Sequence, residues 1–171
     1  MTGPAEFRKL AALPLTAERF APFGDVLETT REHRQSMNSS RFERFANLAD
    51  VDIGATSGGR PAISIARCKM ATSLPYRLDM LERHPNGSQA FMPLGGFQFI
   101  VAVAPVGESI EENEIQVFVT NGRQGINYHK GVWHMPMIGL QDDQEFLIVD
   151  RAGNGGNCDE HFLDEPLMLE L

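Results

Sequence analysis

The stretch FQFIVAVAPVGESIEENEIQVFVTNGRQGINYHKGVWHMP, Phe97 to Pro136, decides the class of fold. FQFIVAVA reads as a buried strand by composition, and IQVFVT (Ile115 to Thr120) reads as another, because β-branched and aromatic side chains suit a pleated, packed surface. Between and after them stand APVG and the Asn-Gly signal of TNGRQG, both of them turn chemistry.

The same alternation of strand and punctuation extends both ways. Upstream, AISIARCKM (Ala62 to Met70) alternates and places Ile63, Ile65 and Arg67 on one face. YRLDMLERH places Leu78, Met80, Glu82 and His84 on one face, because alternate side chains of a strand share a side. Downstream, EFLIVD (Glu145 to Asp150) closes the series, and TSGGRP, PNG, PLGG and AGNGG supply further turns. No segment carries a helical stripe beyond about ten residues. The expected class is therefore mainly β, an antiparallel barrel or sandwich, folded as one domain over residues 1–171.

The N-terminal third is less regular. Thr16 as an N-cap with Glu18 in the first turn predicts a short helix, stopped by Pro22 and Gly24 within about two turns. Residues 29–41 are polar and without periodicity, which predicts a long loop, either of the lid or interface kind or disordered. RFERFANLADVDI is open between a strand and a short helix.

Charge narrows the partners. Against 15 Lys and Arg stand 23 Asp and Glu, a net −8, which disfavours nucleic-acid binding because that rests on basic side chains neutralising phosphates. A small anionic substrate stays open, since one local arginine outweighs a distant net charge. Cys68 and Cys158 form no paired motif and fit a reducing compartment. The longest apolar run, FIVAVA, is far short of the roughly 20 residues that span a bilayer. LAALPL, broken by Pro14, is too short for a signal peptide. The expected location is the cytoplasm.

Chemistry concentrates in two segments. NGRQGINYHKGVWHMP, Asn121 to Pro136, gathers Arg123, Gln124, Asn127, Tyr128, His129, Trp133 and His134. LERHPNGSQAFMPLGG, Leu81 to Gly96, carries Glu82, His84 and Gln89. Glu82 and His84 sit two apart on one strand, so they share a face and can ligate one divalent ion, or one can orient the other as a base. His129 and Gln89 extend the set to neutral imidazoles and oxygens that suit Ni, Zn, Mn or Fe. His129 and His134 are five apart, which on one strand puts them on opposite faces. His129 is then the site residue, and His134 a packed or supporting histidine. Arg67 and Arg123 offer planar forks for a substrate carboxylate, with Arg151 as a rival. Nucleophile elbow, P-loop and dinucleotide fingerprint are all missing from the sequence.

Taken in order, LERHPNGSQAFMPLGG, FVTNGRQGINYHKGVWHMP and IVDRAGNGGNCDE resemble the ureidoglycolate lyase family, formerly called ureidoglycolate hydrolases. The resemblance runs from FAPFGDVLE to NCD, nearly the whole chain. It implies a cupin-like antiparallel β-barrel, commonly a homodimer, that releases urea from (S)-ureidoglycolate and leaves glyoxylate in allantoin breakdown. Nickel is the cofactor it implies. Where a cupin places His-x-His and then Glu, this chain has Glu82-x-His84 and then Gln89, with His129 matching the later histidine. The implied site is thus Glu82, His84, Gln89 and His129 for metal and proton transfer. Arg67, Arg123, Asn127, Gln89 and Tyr128 are expected around the substrate. Readings from other classes are a non-catalytic organic-acid-binding module and a metal-dependent cupin isomerase or oxygenase.

Overall fold

The apolar run Ile100–Ala104 is buried at every position, so layers must cover both of its faces. The computed structural model, which describes residues 7–30, 32 and 34–171, shows what those layers are. Among the described residues the chain begins with β1 (Lys9–Ala11), β2 (Leu13–Pro14) and one helical turn, α1 (Ala17–Phe20). It continues through β3 (Gly24–Leu27), β4 (Arg34–Met37), β5 (Phe42–Phe45), β6 (Arg60–Arg67), β7 (Tyr76–Arg83) and β8 (Gln89–Pro93). Then come β9 (Ile100–Ala104), β10 (Gln116–Val119), β11 (Gly125–Tyr128), β12 (Trp133–His134), β13 (Glu145–Ala152) and β14 (Asp159–Glu170).

Two sheets carry the architecture. One has the order β1-β14-β7-β12-β9-β10-β2 and the other β3-β11-β8-β13-β6, with β4 and β5 as a separate ribbon. Pairing is antiparallel except where β1 joins β14 and β2 joins β10. Phe91, Ile126, Tyr128 and Phe146 from the five-stranded sheet meet Phe99, Val101, Val103 and Phe118, which lie on and beside β9 and β10, in an interior core. Ile100, Ala102 and Ala104, on the other face of β9, join Leu78, Leu81, Trp133, Leu167 and Leu169 in a second core. A strand buried on both faces has no alternation to show, which is why FIVAVA reads as a continuous apolar run. The expected mainly-β barrel, with a minimal helix, is what forms. Thr16 caps α1 by accepting the Arg19 N–H at 3.3 Å. No helix among the described residues is long and apolar enough to cross a membrane.

Three local expectations change. Residues 34–45 form the β4–β5 hairpin rather than a loop, closed by Asn38, Ser39 and Ser40, all at positive φ. The ribbon is exposed almost throughout, so it has no buried face to imprint a pattern. Arg31 and His33, part of the expected loop, lie outside the described residues. Of the ambiguous RFERFANLADVDI, Phe42–Phe45 is strand. Ile63 and Ile65 do share a face, but it points outward, at 75% and 64% exposure, on an edge strand. Finally, Leu78 and Leu81 pack in the same core although three apart, where a register shift interrupts β14 between Phe162 and Leu167. The expected parity therefore holds for Glu82 and His84 but does not extend back to Leu78.

Candidate functional site

Glu82 on β7 and His134 on β12 are direct cross-strand partners. Leu81 and Trp133 beside them both belong to the second core, so Glu82 and His134 turn to the opposite, interior side. His84 follows two residues after Glu82 and brings its ring to 5.0 Å from that of His134. Ligand-capable atoms of Glu82, His84 and His134 all lie within 4.8 Å of one another.

His134 is 2% exposed, and its ring is stacked on Tyr128 at 4.2 Å and 15°. Its Nδ1 lies 3.0 Å from the Val132 carbonyl, which only accepts, so Nδ1 donates there and Nε2 is left to face Glu82. Nε2 is buried without a hydrogen-bond partner and faces Glu82 Oε1 at 3.6 Å. The contact with His134 is the main cause holding the Glu82 carboxyl below its ordinary range, against the opposing effect of burial. An imidazole nitrogen and a carboxylate pointed at each other in a buried site call for a cation between them, a metal ion or a proton. That orphaned nitrogen, with its other nitrogen fixed by a carbonyl, is also how metal-ligating histidines are held. The site fits a divalent metal.

The surroundings are equally specific. His84 Nδ1 lies 2.7 Å from the Asn157 carbonyl and its Nε2 3.0 Å from Gln89 Oε1. Gln89 Nε2 donates to Asp150 Oδ2 at 3.2 Å. The Asn86 backbone N–H donates to Asn157 Oδ1, and the Asn86 side chain donates to the Gly156 carbonyl, so the glycine-rich turn of AGNGGN is tied to the turn after β7. Cys158 Sγ lies 3.6 Å from Glu82 Oε2, and burial, with the Glu82 charge, pushes its thiol up. Burial also pushes the Tyr128 hydroxyl far above its ordinary range, which keeps it a neutral phenol. Below Glu82 and His134 a cavity of ≈ 20 Å³, floored by Phe91, Phe99, Ile126 and Tyr128, has room for about one water.

Of the residues picked out in sequence, Glu82, His84, Gln89 and Tyr128 come together here. His129 does not. Its Nε2 is 3.1 Å from Asp25 Oδ2 and its side chain is 46% exposed. After Tyr128 the chain leaves the five-stranded sheet, turns through Gly131 at φ +77°, and enters the seven-stranded sheet at Trp133. His129 and His134 therefore belong to no common strand, and counting parity between them chose the wrong member for the cluster. Asn127 is fully buried on the other side of β11 from Ile126 and Tyr128, donating to Asp25 Oδ2 and the Asp50 carbonyl. Arg67 is exposed and pairs with Glu145, at the end of β13 away from Asp150, roughly 17 Å along the strand. Arg123 is exposed beside Leu27, Thr29 and Met92. Neither arginine reaches the cluster. Asp150, Asn157 and Cys158 are the neighbours that sequence reasoning missed, and His134, read there as a packed or supporting histidine, stands in the cluster itself.

Residues 7–170 match the family model described as ureidoglycolate lyase. The chain belongs to the ureidoglycolate lyase family. Ureidoglycolate lyase of Pseudomonas savastanoi pv. phaseolicola is 49% identical over 164 residues, which is 96% of this chain and 95% of that protein. Ureidoglycolate lyase of Pseudomonas fluorescens strain Pf0-1 is 50% identical, covering 96% and 97%. Among solved structures, RmlC from Streptococcus suis in complex with dTDP-D-xylose matches at TM-score 0.44 and 14% identity, over 88% of this chain and 74% of that one. The kinship is thus with lyases along the whole described chain.

Proposed function

We propose that the chain, as a single domain, cleaves (S)-ureidoglycolate to glyoxylate and urea, a carbon–nitrogen lyase reaction of allantoin breakdown. One observation carries the assignment of the reacting groups: Glu82 and His134, paired across two strands, present a carboxylate and an imidazole nitrogen to the same point. Kinship with lyases favours this over a mere binding module or a cupin isomerase or oxygenase.

Ureidoglycolate is a carbinolamine. Its collapse needs the C2 hydroxyl to lose a proton and the urea nitrogen to gain one, with no water consumed and no nucleophile required. Glu82 turns Oε1 to His134 and leaves Oε2 beside Cys158. Oε2 takes the hydroxyl proton; the O–H electron pair becomes the C=O of glyoxylate as the C–N bond breaks, and the carboxyl returns the proton to the departing nitrogen. Tyr128, neutral and stacked on His134, holds that ring in plane. Gln89 and the Asn157 carbonyl hold His84.

Glu82, His84 and His134 are the residues that would hold a divalent metal, nickel in our reading. When bound it supplies a Lewis acid that acidifies the hydroxyl and a positive charge for the substrate carboxylate. Arg67 and Arg123 are too far from the cluster to share that role. The outward apolar face at Ile63 and Ile65, on the edge strand β6, suits a second copy of the chain, so we read the enzyme as a homodimer. The two free cysteines suit the cytoplasm. The deciding experiment measures urea and glyoxylate released from racemic ureidoglycolate. Equimolar release from half of the racemate is expected, and absence of either product sinks the assignment.

A further inference from the structure

The β4–β5 ribbon joins no other strand among the described residues, and a lone two-stranded ribbon is marginal in water. Met37 and Phe42 are cross-strand partners, so they share a face, and they are 40% and 61% exposed. Arg44, two residues on from Phe42, stands on that same face. Residues 34–45 carry three arginines against the single Glu43, in a chain of net −8. Glu43 is taken by Arg34 at 3.2 Å, and among the described residues Arg41 and Arg44 make no ion pair. Half-buried Phe45 and buried Ala46 fix the root. Beyond that root the ribbon is exposed at every position and about 13 Å long at strand rise.

What the ribbon lacks lies beside its root. The outer side of the five-stranded sheet has a cavity of ≈ 700 Å³ lined by the apolar Leu27, Leu48 and Met92 and by Glu28 and Arg123. Glu28 also borders a neighbouring cavity that adds Glu32, so acid outweighs the one arginine there. The apolar lining continues across the sheet, because Met92, Leu147 and the exposed Ile65 are register partners on β8, β13 and β6. One chain thus carries a basic ribbon with an uncovered apolar face and an apolar, acid-edged cavity that the ribbon leaves empty. Thr29 and Leu48, at the two ends of the ribbon segment, both line the cavity. Arm and receptor sit together, so a single two-fold rotation satisfies both contacts at once. We infer that the ribbon is an exchange arm: in a two-fold dimer each chain lays its Met37 and Phe42 into the other chain's cavity at Leu27, Leu48 and Met92, with Arg44 against Glu28. The inference rests on the homodimer reading above and names the segment that makes the dimer.

Sedimentation equilibrium of the full chain tests it. Wild type is expected as a dimer. Phe42→Asp, on a ribbon that supports none of the barrel, should raise the dimer Kd by roughly 10²-fold or more, because each dimer carries the contact twice. Arg44→Glu and Glu28→Arg should each weaken the dimer by about tenfold or more through like-charge contact. Mixing these two variants one to one should restore dimers, since each arm then meets the opposite charge in the other chain. A ribbon folded onto its own chain gains nothing from mixing. A mixture that stays as weak as its components overturns the inference, and so does a Phe42→Asp protein that dimerises like wild type. In the latter case a dimer through Ile63 and Ile65 still stands. Should Glu28→Arg not fold, Phe42→Asp and Arg44→Glu on the exposed ribbon decide. A monomeric wild type overturns the arm and the homodimer together.

Discussion

Glu82 and His134 stand directly opposite each other on neighbouring antiparallel strands, with Oε1 and Nε2 3.6 Å apart. The pair joins two distant parts of the chain, LERHP and VWHMP, and neither residue is held by its own loop. Their spacing is set by the β7–β12 ladder, and their orientation by packing. Trp133 on the far side of β12 sits under Arg83 of β7, the guanidinium 4.7 Å from the ring centre, and donates to the Gly107 carbonyl. A rigid frame behind the pair fixes the point at which the two groups meet.

The first prediction separates the two histidines of NYHKGVWH. His134→Gln should lower kcat/KM by about 10²- to 10⁴-fold, the usual range for a positioned proton-transfer or ligating group. His129→Gln should leave kcat/KM near wild type, since that ring only meets Asp25 at the surface. Steady-state kinetics on ureidoglycolate checks both; the reverse order of effects would return His129 to the site.

Arginine replacement gives the second. Arg67→Lys and Arg123→Lys should both retain catalytic efficiency, because Arg67 is engaged by Glu145 and Arg123 lies on the outer side of the five-stranded sheet. A large rise in KM in either variant would show that its guanidinium reaches the substrate carboxylate.

Chelation supplies the third. Dialysis against a strong chelator should abolish urea release, and Ni²⁺ should restore it while elemental analysis shows one ion per chain. Metal-free protein turning over at the rate of the loaded form would leave Glu82 and His134 as a proton-sharing pair alone.

The fourth concerns acid stability. The folded state lowers the Glu82 carboxyl below its ordinary value of 4.5, chiefly through His134, so folding favours the charged form. That contribution is present above the ordinary value and is lost as pH falls through the lowered one. Melting curves of wild type and Glu82→Gln should therefore converge as pH drops below 4.5, and differ most above it. A gap that widens in acid contradicts the assignment.

A last test reads the glycine turns around Arg151. A Cβ on Gly59 would come 1.6 Å from the Ile53 carbonyl oxygen and 2.8 Å from Arg151 Nε, whereas one on Gly58 meets nothing within 4 Å. Gly58→Ala should cost about 1–2 kcal/mol, from its φ of +76° alone. Gly59→Ala should exceed it, at or beyond about 3 kcal/mol, because backbone must move. Urea denaturation compares the two.

Strand character, turn positions and the α1 cap were legible because each depends on neighbours in sequence: the β-branched runs, the Asn-Gly and Gly-Gly signals, and Thr16 ahead of Glu18. The pairing of Glu82 with His84 was legible for the same reason, since alternation over two residues is local geometry. The hairpin at 34–45 was not, because a ribbon solvated on both faces leaves no periodicity. Nor was the outward direction of Ile63 and Ile65, since alternation states which residues share a face and never which face is inside.

The residues alone determined that this chain is mainly β, punctuated by turns, and that it carries two short segments rich in histidine, carboxylate and amide. Only the tertiary structure decided that His134, and not His129, completes the cluster with Glu82 and His84. The reason is physical. The chain changes sheets within the four residues 129–132, and a crossing between sheets resets the alternation on which every count along a strand depends.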